Sequence, residues 1–248
     1  MGIDLASLMF LSRVIPDLDQ KSNMIMLGRQ KLHFRIPRFQ DAADAKLSDI
    51  ETGLTIGSLS AIDNGFAEPF FQALGVAEID SLDFSDFESA TVLHDLNQPL
   101  PKKLHRKYDL VFDGGTLEHV FDVKTALTNA YNLLKPGGTF IGISPGNNFF
   151  AHGFYQFSPD IVFSFWGRSM GCDVSECWVL PERPKDRPWQ IEDPFKSGHR
   201  LRVRGRMPHQ RTYLAYVAHR PNRAKVADKV LQGDYSQKWD GHYNEKPA

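Results

Sequence analysis

The chain has 248 residues, of which 42% are hydrophobic and 24% charged, and its formal net charge is −1. This length and composition predict one sizeable α/β domain with a hydrophobic core, and they exclude wholesale disorder. With a net charge so close to zero, the protein has no long-range electrostatic attraction to nucleic acid or to a membrane surface, so we expect neither as a partner.

The cysteine content and the start of the chain indicate a cytoplasmic protein. Cys172 and Cys177 are the two cysteines, and so few in a chain of this size fit a reducing compartment. No apolar run approaches the roughly 18 residues that a membrane helix needs. The first 15 residues lack a basic leader, and Asp4 instead predicts the cap of an amphipathic helix.

The first half of the chain predicts three strands and a further helix. Short apolar runs bounded by turn residues indicate strands, whereas apolar positions three or four apart indicate a helix. In chain order these elements are a strand Asn23–Leu27 that ends at Gly28, a helix over 66–74, and strands over 76–82 and 91–94.

The middle of the chain carries the clearest pattern. The apolar run Tyr108–Asp113 predicts a buried strand, and a turn follows it at Gly114. Asp122 is placed to cap a helix that ends at the Lys-Pro-Gly-Gly run of 135–138, before a strand over 139–144. A strand, a helix and a strand in sequence predict a right-handed parallel crossover.

The last third predicts a helix over 158–169 and two paired strands over 172–180 and 212–219. With the five strands before them, these give a doubly wound, mostly parallel, seven-stranded α/β sheet whose ligand crevice lies at the carboxyl ends of the strands. We expect one domain over 1–220, with a basic loop over 181–211, and a polar tail over 221–248 that forms a short helix at about 224–231.

Polar residues follow each of the first three predicted strands. Binding of a nucleotide-like ligand at such an edge needs a close backbone turn after the first strand and a carboxylate after the second. A polar residue after the third strand can meet an adenine amino group. The residues in these places are Gly28, Arg29 and Gln30, then Asp83 with Asp80 as second choice, then Asp95 and Leu96.

Residues 108–140 resemble the fourth-strand to fifth-strand segment of class I S-adenosylmethionine-dependent methyltransferases. Their sequence is YDLVFDGGTLEHVFDVKTALTNAYNLLKPGGTF. VLHDLNQPLP at 92–101 and LDFSDFESA at 82–90 resemble the third and second strand ends of that family, and the resemblance covers roughly residues 22–180. It implies a class I methyltransferase fold and S-adenosylmethionine as cofactor. It also assigns Asp83 to the ribose, Asp95 and the Leu96 backbone to adenine, and Asp113 and Gly114 to the methionine part.

Two features depart from the family pattern. The first loop, MLGRQKLHF, has one glycine, so the Gln30 side chain stands where bare backbone usually approaches the ligand. Asp83 lies 55 positions after Gly28, whereas a compact nucleotide unit has about 20. Residues 31–62 are therefore predicted to be an insertion after the first strand, which could cover the cofactor or the acceptor.

Methyl transfer requires mainly that the acceptor be aligned and, where needed, deprotonated. His119 follows the fourth strand and His152 follows the fifth, so we predict a catalytic role for His152, His119 and Tyr155. We expect a small or medium-sized acceptor methylated on oxygen or nitrogen. The basic loop leaves open an anionic or sugar-like acceptor. No histidine or cysteine spacing suggests zinc, so we expect no metal site.

Two other functions stay open at this point. The single-glycine loop is also consistent with a non-catalytic binding module, or a subunit of a complex, on the same fold. A nicotinamide-dependent oxidoreductase would use the same kind of sheet, but Gly-x-Gly-x-x-Gly is absent after the first strand. The sequence does not identify the acceptor or the oligomeric state.

Overall fold

A computed structural model describes residues 2–19, 21–33, 40–62, 65–183, 185–197, 199, 202–203, 205–227, 229–233 and 235. Within these ranges one sheet of eight strands has the order β3-β2-β1-β4-β5-β8-β6-β7. The strands are β1 Asn23–Leu27, β2 Glu78–Asp83, β3 Val92–Leu93, β4 Tyr108–Asp113, β5 Leu134–Asn147, β6 Asp173–Pro181, β7 Trp189–Gln190 and β8 Thr212–His219.

Helices of several lengths connect the strands. The α-helices are α1 Leu5–Val14, α2 Gln40–Asp49, α3 Ile56–Ser60, α4 Glu68–Ala73, α5 Val123–Leu133 and α6 Pro194–Ser197. Lys102–Leu104 and Leu117–His119 form single 3₁₀ turns, and Ile161–Ser169 forms a π-helix. No helix among the described residues is both long and apolar enough to cross a membrane.

The strand directions confirm the predicted fold class. β3, β2, β1, β4 and β5 run parallel, and β8 pairs antiparallel with both β5 and β6. The prediction of seven strands was one too few, because β7 adds two residues at the far edge by pairing with β6. A strand of two residues is too short to produce a periodic sequence pattern.

The sheet separates two hydrophobic cores, as a doubly wound fold requires. Successive side chains of a strand point to opposite faces. Leu110 and Phe112 of β4 accordingly join the core beneath α1 and α4, whereas Val111 between them joins the core beneath α5 and the π-helix. This alternation on β1, β4, β5 and β8 explains why these strands are apolar on both faces.

The predicted insertion contributes to the first of these cores. Its helices α2 and α3 bury Ala43, Leu47, Ile56 and Leu59 together with the apolar face of α1. Residues 34–39 of the insertion lie outside the described residues. The described part of the insertion therefore packs as core, and a covering role at the ligand edge stays a prediction.

One local prediction was wrong, and β5 begins earlier than predicted. The described residues of 224–231 are not helical. They are instead held at the end of the π-helix, where the Ser169 hydroxyl donates to the Ala227 carbonyl (2.7 Å) and the Ala227 amide donates to the Ser169 carbonyl (2.7 Å). Residues 135–138 end α5 as predicted, but they are already part of β5, because Gly137 donates to the Arg220 carbonyl (2.8 Å) in an extended run.

Both predicted helix caps are confirmed. Asp122 accepts hydrogen bonds from the Thr125 amide (3.0 Å) and hydroxyl (2.7 Å) at the start of α5. Asp4 accepts from the Ser7 amide (2.8 Å) at the start of α1, and its second oxygen accepts from the Tyr213 hydroxyl (2.8 Å) of β8. Asp4 therefore fastens α1 to the sheet in addition to capping it.

We predict that Asp4→Ala lowers the free energy of unfolding by about 2 kcal/mol, because it removes a cap and leaves the buried Tyr213 hydroxyl unpaired. Denaturant unfolding of Asp4→Ala, Tyr213→Phe and the double variant measures the coupling between the two side chains. Strictly additive losses would contradict the proposed contact, whereas the double variant should lose less than the sum.

Candidate functional site

The carboxyl ends of β1, β2 and β4 bring the predicted cofactor residues to one edge of the sheet. Leu27, the last residue of β1, is in register with Leu82 on one side and with Asp113 on the other. The Gly28 amide donates to the Leu82 carbonyl (2.7 Å), so the turn after β1 begins against the end of β2. Gly28, Asp83 and Asp113 consequently follow neighbouring strands at the same edge.

The loop after β1 is anchored by the side chain of Gln30, which is 3% exposed. Gln30 Nε2 donates to the carbonyls of Leu27 (2.8 Å) and Gly28 (3.3 Å). Because carbonyl oxygens only accept, these contacts fix which end of the amide carries the nitrogen. Gln30 Oε1 is buried and has no hydrogen-bond partner among the described residues.

Two glycines are needed to pack the loops after β1 and β4. Gly28 has a φ of +67°, and a Cβ there would stand 2.5 Å from Thr116 Oγ1. A Cβ at Gly114 would stand 2.8 Å from Gln30 Oε1. Thr116 also donates to the Leu27 carbonyl (2.7 Å). The side chains of Gln30 and Thr116 therefore fill the space directly beside both glycines.

Arg29 is held by protein partners on both sides. Its guanidinium pairs with Glu68 of α4 (2.7 Å), donates to the Glu88 carbonyl (2.9 Å) and lies over the Phe66 ring at 3.8 Å. Lys31 pairs with the Glu88 carboxylate at 2.6 Å. These contacts tie the loop after β1 to α4 and to the loop after β2.

The two carboxylates considered after β2 have different surroundings. Asp83 is half-buried, and one of its oxygens accepts from the Phe84 amide (2.6 Å). Asp80 accepts from the Tyr108 hydroxyl (2.7 Å) and from Thr91 (2.8 Å), which lowers its pKa against the opposing effect of burial. The Asp80 carboxylate is thus occupied by hydrogen bonds from Tyr108 and Thr91, and Asp83 is the carboxylate that stands at the end of β2.

The loop after β3 is fixed against α5. Asp95 accepts from the backbone (2.9 Å) and side chain (2.8 Å) of Asn97, and these hydrogen bonds hold the pKa of Asp95 below its usual range. Asn97 in turn accepts from the Asp122 amide (3.0 Å). Leu96 is buried, and its carbonyl accepts from Asn129 of α5 (3.2 Å).

Asp113 shapes the turn that leaves β4. Its side chain is fully buried and accepts from the amides of Thr116 (2.9 Å) and Leu117 (3.3 Å). Burial raises the pKa of Asp113 to about 6, against these hydrogen bonds. The carboxylate therefore organises the 3₁₀ turn Leu117–His119, which carries the next group of residues.

Glu118, His119 and His152 come together beside this turn. The Glu118 side chain is fully buried, and the Nε2 atoms of His119 and His152 each lie 3.7 Å from its Oε1. The centroids of the two imidazole rings are 5.0 Å apart. The potential ligand atoms of the three side chains all lie within 4.8 Å of one another. The sequence predicted the two histidines separately, and the structure joins them through a carboxylate.

Backbone contacts hold the loop after β5 on the loop after β4. The amides of Phe154 (2.8 Å) and Tyr155 (3.3 Å) both donate to the Glu118 carbonyl. A Cβ at Gly153 would stand 2.8 Å from that carbonyl, so this close approach requires glycine. The Tyr155 hydroxyl donates to the Phe121 carbonyl (2.6 Å), which makes it a brace between the two loops.

Burial makes all three side chains of the cluster favour their neutral forms. Burial, together with the nearby charge of Asp113, raises the pKa of Glu118 to about 8. Burial also lowers the pKa of His119, and it lowers the pKa of His152 together with the nearby charge of His119. Near neutral pH the imidazoles therefore keep a free lone pair.

Sequence reasoning did not select Glu118 as a functional residue. The available signal was a carboxylate beside a histidine directly after a predicted strand. Its partner His152 comes from a loop more than thirty residues later, so no short spacing could reveal the cluster. For the same reason the expectation of no metal site was based on spacing alone.

Exposed aromatic rings surround this edge of the sheet. Phe84 and Phe87 follow β2, Phe121 follows β4, and Phe150 and Phe154 follow β5; all five are largely exposed. The rings of Phe121 and Phe154 meet edge to face at 5.5 Å. Large apolar side chains exposed together are typical of a binding surface.

Comparison with known proteins locates a family match in the middle of the chain. Residues 64–140 match the family model described as "Methyltransferase domain". No curated protein matches the sequence.

Solved structures resemble the fold at low sequence identity. The Burkholderia thailandensis 1,6-didemethyltoxoflavin-N1-methyltransferase is 12% identical, with a TM-score of 0.46 over 87% of this chain and 79% of that one. A putative methyltransferase from Bacillus halodurans is 11% identical, with a TM-score of 0.39 over 89% and 100%.

A complex of the Haloferax volcanii Trm112 methyltransferase activator and a putative methyltransferase gives 13% identity and a TM-score of 0.46, over 87% of this chain and 90% of that one.

The matched segment spans α4, β2, β3, β4, α5 and the first half of β5. It includes Asp83, Asp95, Asp113 and Gly114, and it includes Glu118 and His119. The resemblance stated from the sequence is therefore confirmed for this segment, because residues 64–140 match the methyltransferase domain model and lie in a doubly wound, mostly parallel sheet.

Proposed function

We propose that the chain is an S-adenosylmethionine-dependent methyltransferase that acts on an oxygen or nitrogen atom of a small or medium-sized acceptor. One observation carries this proposal: the segment that matches methyltransferases supplies the acidic residues at the ends of β2, β3 and β4. In open α/β sheets this edge is where ligands bind.

The residues at this edge suit the chemistry of the cofactor. The Asp83 carboxylate is a suitable acceptor for two ribose hydroxyls, and Asp95 with the Leu96 backbone suits adenine. Gln30 Oε1 is a buried acceptor without a partner among the described residues, next to Gly114, which suits a donor such as an ammonium group. In this proposal Gly28 and Arg29 shape the loop, with the Arg29 guanidinium holding it to Glu68.

We assign the removal of a proton from the acceptor to His152 and His119. Bound S-adenosylmethionine supplies an activated methyl group, which a lone pair of the acceptor displaces from the sulfonium sulfur. A neutral imidazole within reach of the acceptor can take its proton, and both histidines favour the neutral form. Tyr155 is a positioning residue, because its hydroxyl donates a hydrogen bond to the Phe121 carbonyl.

The surroundings of His152 favour an acceptor that combines negative charge with an apolar part. The Arg211 guanidinium lies 5.4 Å from the centre of the Phe149 ring, and that ring lies 5.5 Å from the His152 ring. Arg211 is the last member of the basic loop, of which residues 184, 198, 200, 201 and 204 lie outside the described part of the chain. The exposed Phe121 and Phe154 rings supply apolar surface at the same edge.

We predict that S-adenosylhomocysteine raises the melting temperature of the chain, because a ligand of the native state stabilises it. Asp83→Ala should abolish most of that shift. Asp86→Ala is the matched control, since Asp86 is an exposed acid of the same loop and should leave the shift unchanged. Scanning fluorimetry at millimolar ligand measures the effect, and no shift for the unaltered protein would contradict the proposal.

We predict that Gln30→Met weakens this thermal shift, because methionine keeps the volume and removes the Oε1 acceptor. The variant should also melt at a lower temperature without ligand, since the carbonyls of Leu27 and Gly28 lose the hydrogen bonds from the Gln30 amide. Calorimetric titration with S-adenosylhomocysteine separates the two effects. Tighter binding by Gln30→Met would show that the side chain obstructs the site.

A second candidate function is a non-catalytic binding module of the same fold. It is favoured by the Gln30 and Thr116 side chains, which occupy the space beside Gly28 and Gly114. A module of this kind should show no thermal shift with S-adenosylhomocysteine in the unaltered protein. Methyl transfer from S-adenosylmethionine to any acceptor would exclude it.

A further inference from the structure

We propose that Glu118, His119 and His152 bind a divalent transition-metal ion next to the methyl-transfer site. The three side chains come from the ends of β4 and β5, and they present one carboxylate and two imidazoles to a common point. Two imidazole nitrogens and one carboxylate oxygen form a ligand set that zinc and similar ions use, with further coordination positions left for water or substrate.

The distances fit a shared ion better than direct hydrogen bonds. Each histidine Nε2 lies 3.7 Å from Glu118 Oε1, which is too far for a hydrogen bond. Ligand atoms about 2.1 Å from one ion lie about 3.4 Å apart in tetrahedral geometry. The two histidine–carboxylate separations therefore need only a few tenths of an ångström of closure, and all the ligand atoms of the cluster lie within 4.8 Å of one another.

The polar groups of the cluster are otherwise unsatisfied. Both carboxylate oxygens of Glu118, and Nε2 of His152, are buried without a hydrogen-bond partner among the described residues. A buried carboxylate in this condition is costly whether it is ionised or protonated, because neither form has a partner. One cation between the three side chains satisfies the carboxylate and both imidazoles together.

The surrounding charges are compatible with a cation. Asp113 is a second buried carboxyl whose charge acts on Glu118. Arg211 is the basic residue that acts on His152, and it has Glu182 as an ion-pair partner at 3.7 Å.

The ion would change how the acceptor is handled, a consequence that rests on the proposed function. A metal-bound imidazole holds the ion and cannot also accept a proton. The ion itself lowers the pKa of a hydroxyl or water that it binds, so an acceptor oxygen bound there would lose its proton to solvent more easily. The His119 side chain is 44% exposed, so the cluster borders solvent on that side.

The test is calorimetric titration of the chelator-treated full chain with Zn²⁺, without cofactor or acceptor. We expect one ion per chain. Glu118→Gln, His119→Gln and His152→Ala should each weaken Zn²⁺ binding by at least about tenfold. His119→Gln is the most informative variant, because its side chain is 44% exposed and its replacement leaves the packing intact.

His105→Ala is the matched control. His105 precedes β4 at the opposite edge of the sheet and contacts the Leu100 carbonyl through Nε2 (3.1 Å), so Zn²⁺ binding should be unchanged. Absence of Zn²⁺ binding, unchanged binding by His119→Gln, or an equal loss in His105→Ala would each overturn the site. Tighter binding of Mg²⁺ than of Zn²⁺ would overturn the assignment to a transition metal.

The two proposals fail separately. A thermal shift with S-adenosylhomocysteine in a protein that binds no Zn²⁺ would remove the metal site and keep the methyltransferase. Zn²⁺ binding that depends on His119, in a protein that shows no shift with S-adenosylhomocysteine, would keep the metal site and remove the proposed activity.

Discussion

The backbone carbonyl of Leu27 joins the two loops on which the candidate site depends. It accepts from Gln30 Nε2 (2.8 Å) in its own loop and from Thr116 Oγ1 (2.7 Å) in the loop after β4. This shared acceptor fixes the spacing between the ends of β1 and β4. Gly28 and Gly114 then have to lack side chains, because Thr116 and Gln30 occupy the adjacent space. A loop with one glycine can thus still adopt a compact turn.

Two buried acidic residues, Asp113 and Glu118, then position the remaining loops of the site. Asp113 ends β4 and accepts from the amides of the turn that follows, which places Glu118 in the interior. The Glu118 carbonyl then receives two amides from the loop after β5, and this brings His152 to the Glu118 carboxylate. Each buried polar group thereby determines the position of the next. The least satisfied member, the Glu118 side chain, lies where two loops meet.

The architecture was predictable because it follows from local patterns. The run Tyr108–Asp113 is apolar on both faces and had to be a central strand, and Asp122 had to begin a helix. The elements that were missed have weak local signals: β7 has two residues, and the segment near Ala227 is held by Ser169 from a distant helix. The candidate site was predicted in part, since Asp83 and Asp95 follow strand ends in the sequence. The Glu118 cluster and the unpaired Gln30 oxygen were not.

Local sequence patterns were enough to predict the α/β class, the parallel crossover around β4, the two helix caps and the strand ends at which acidic residues stand. These depend on periodicity and on neighbours a few positions apart, which one chain displays directly. Three further features are visible in the folded structure and not in the sequence. Gln30 packs against Gly114, Asp80 accepts a hydrogen bond from Tyr108 within the sheet, and Glu118 lies between His119 and His152. The physical reason is that burial and hydrogen bonding between loops distant in sequence arise only when parallel strands bring their carboxyl ends to one edge.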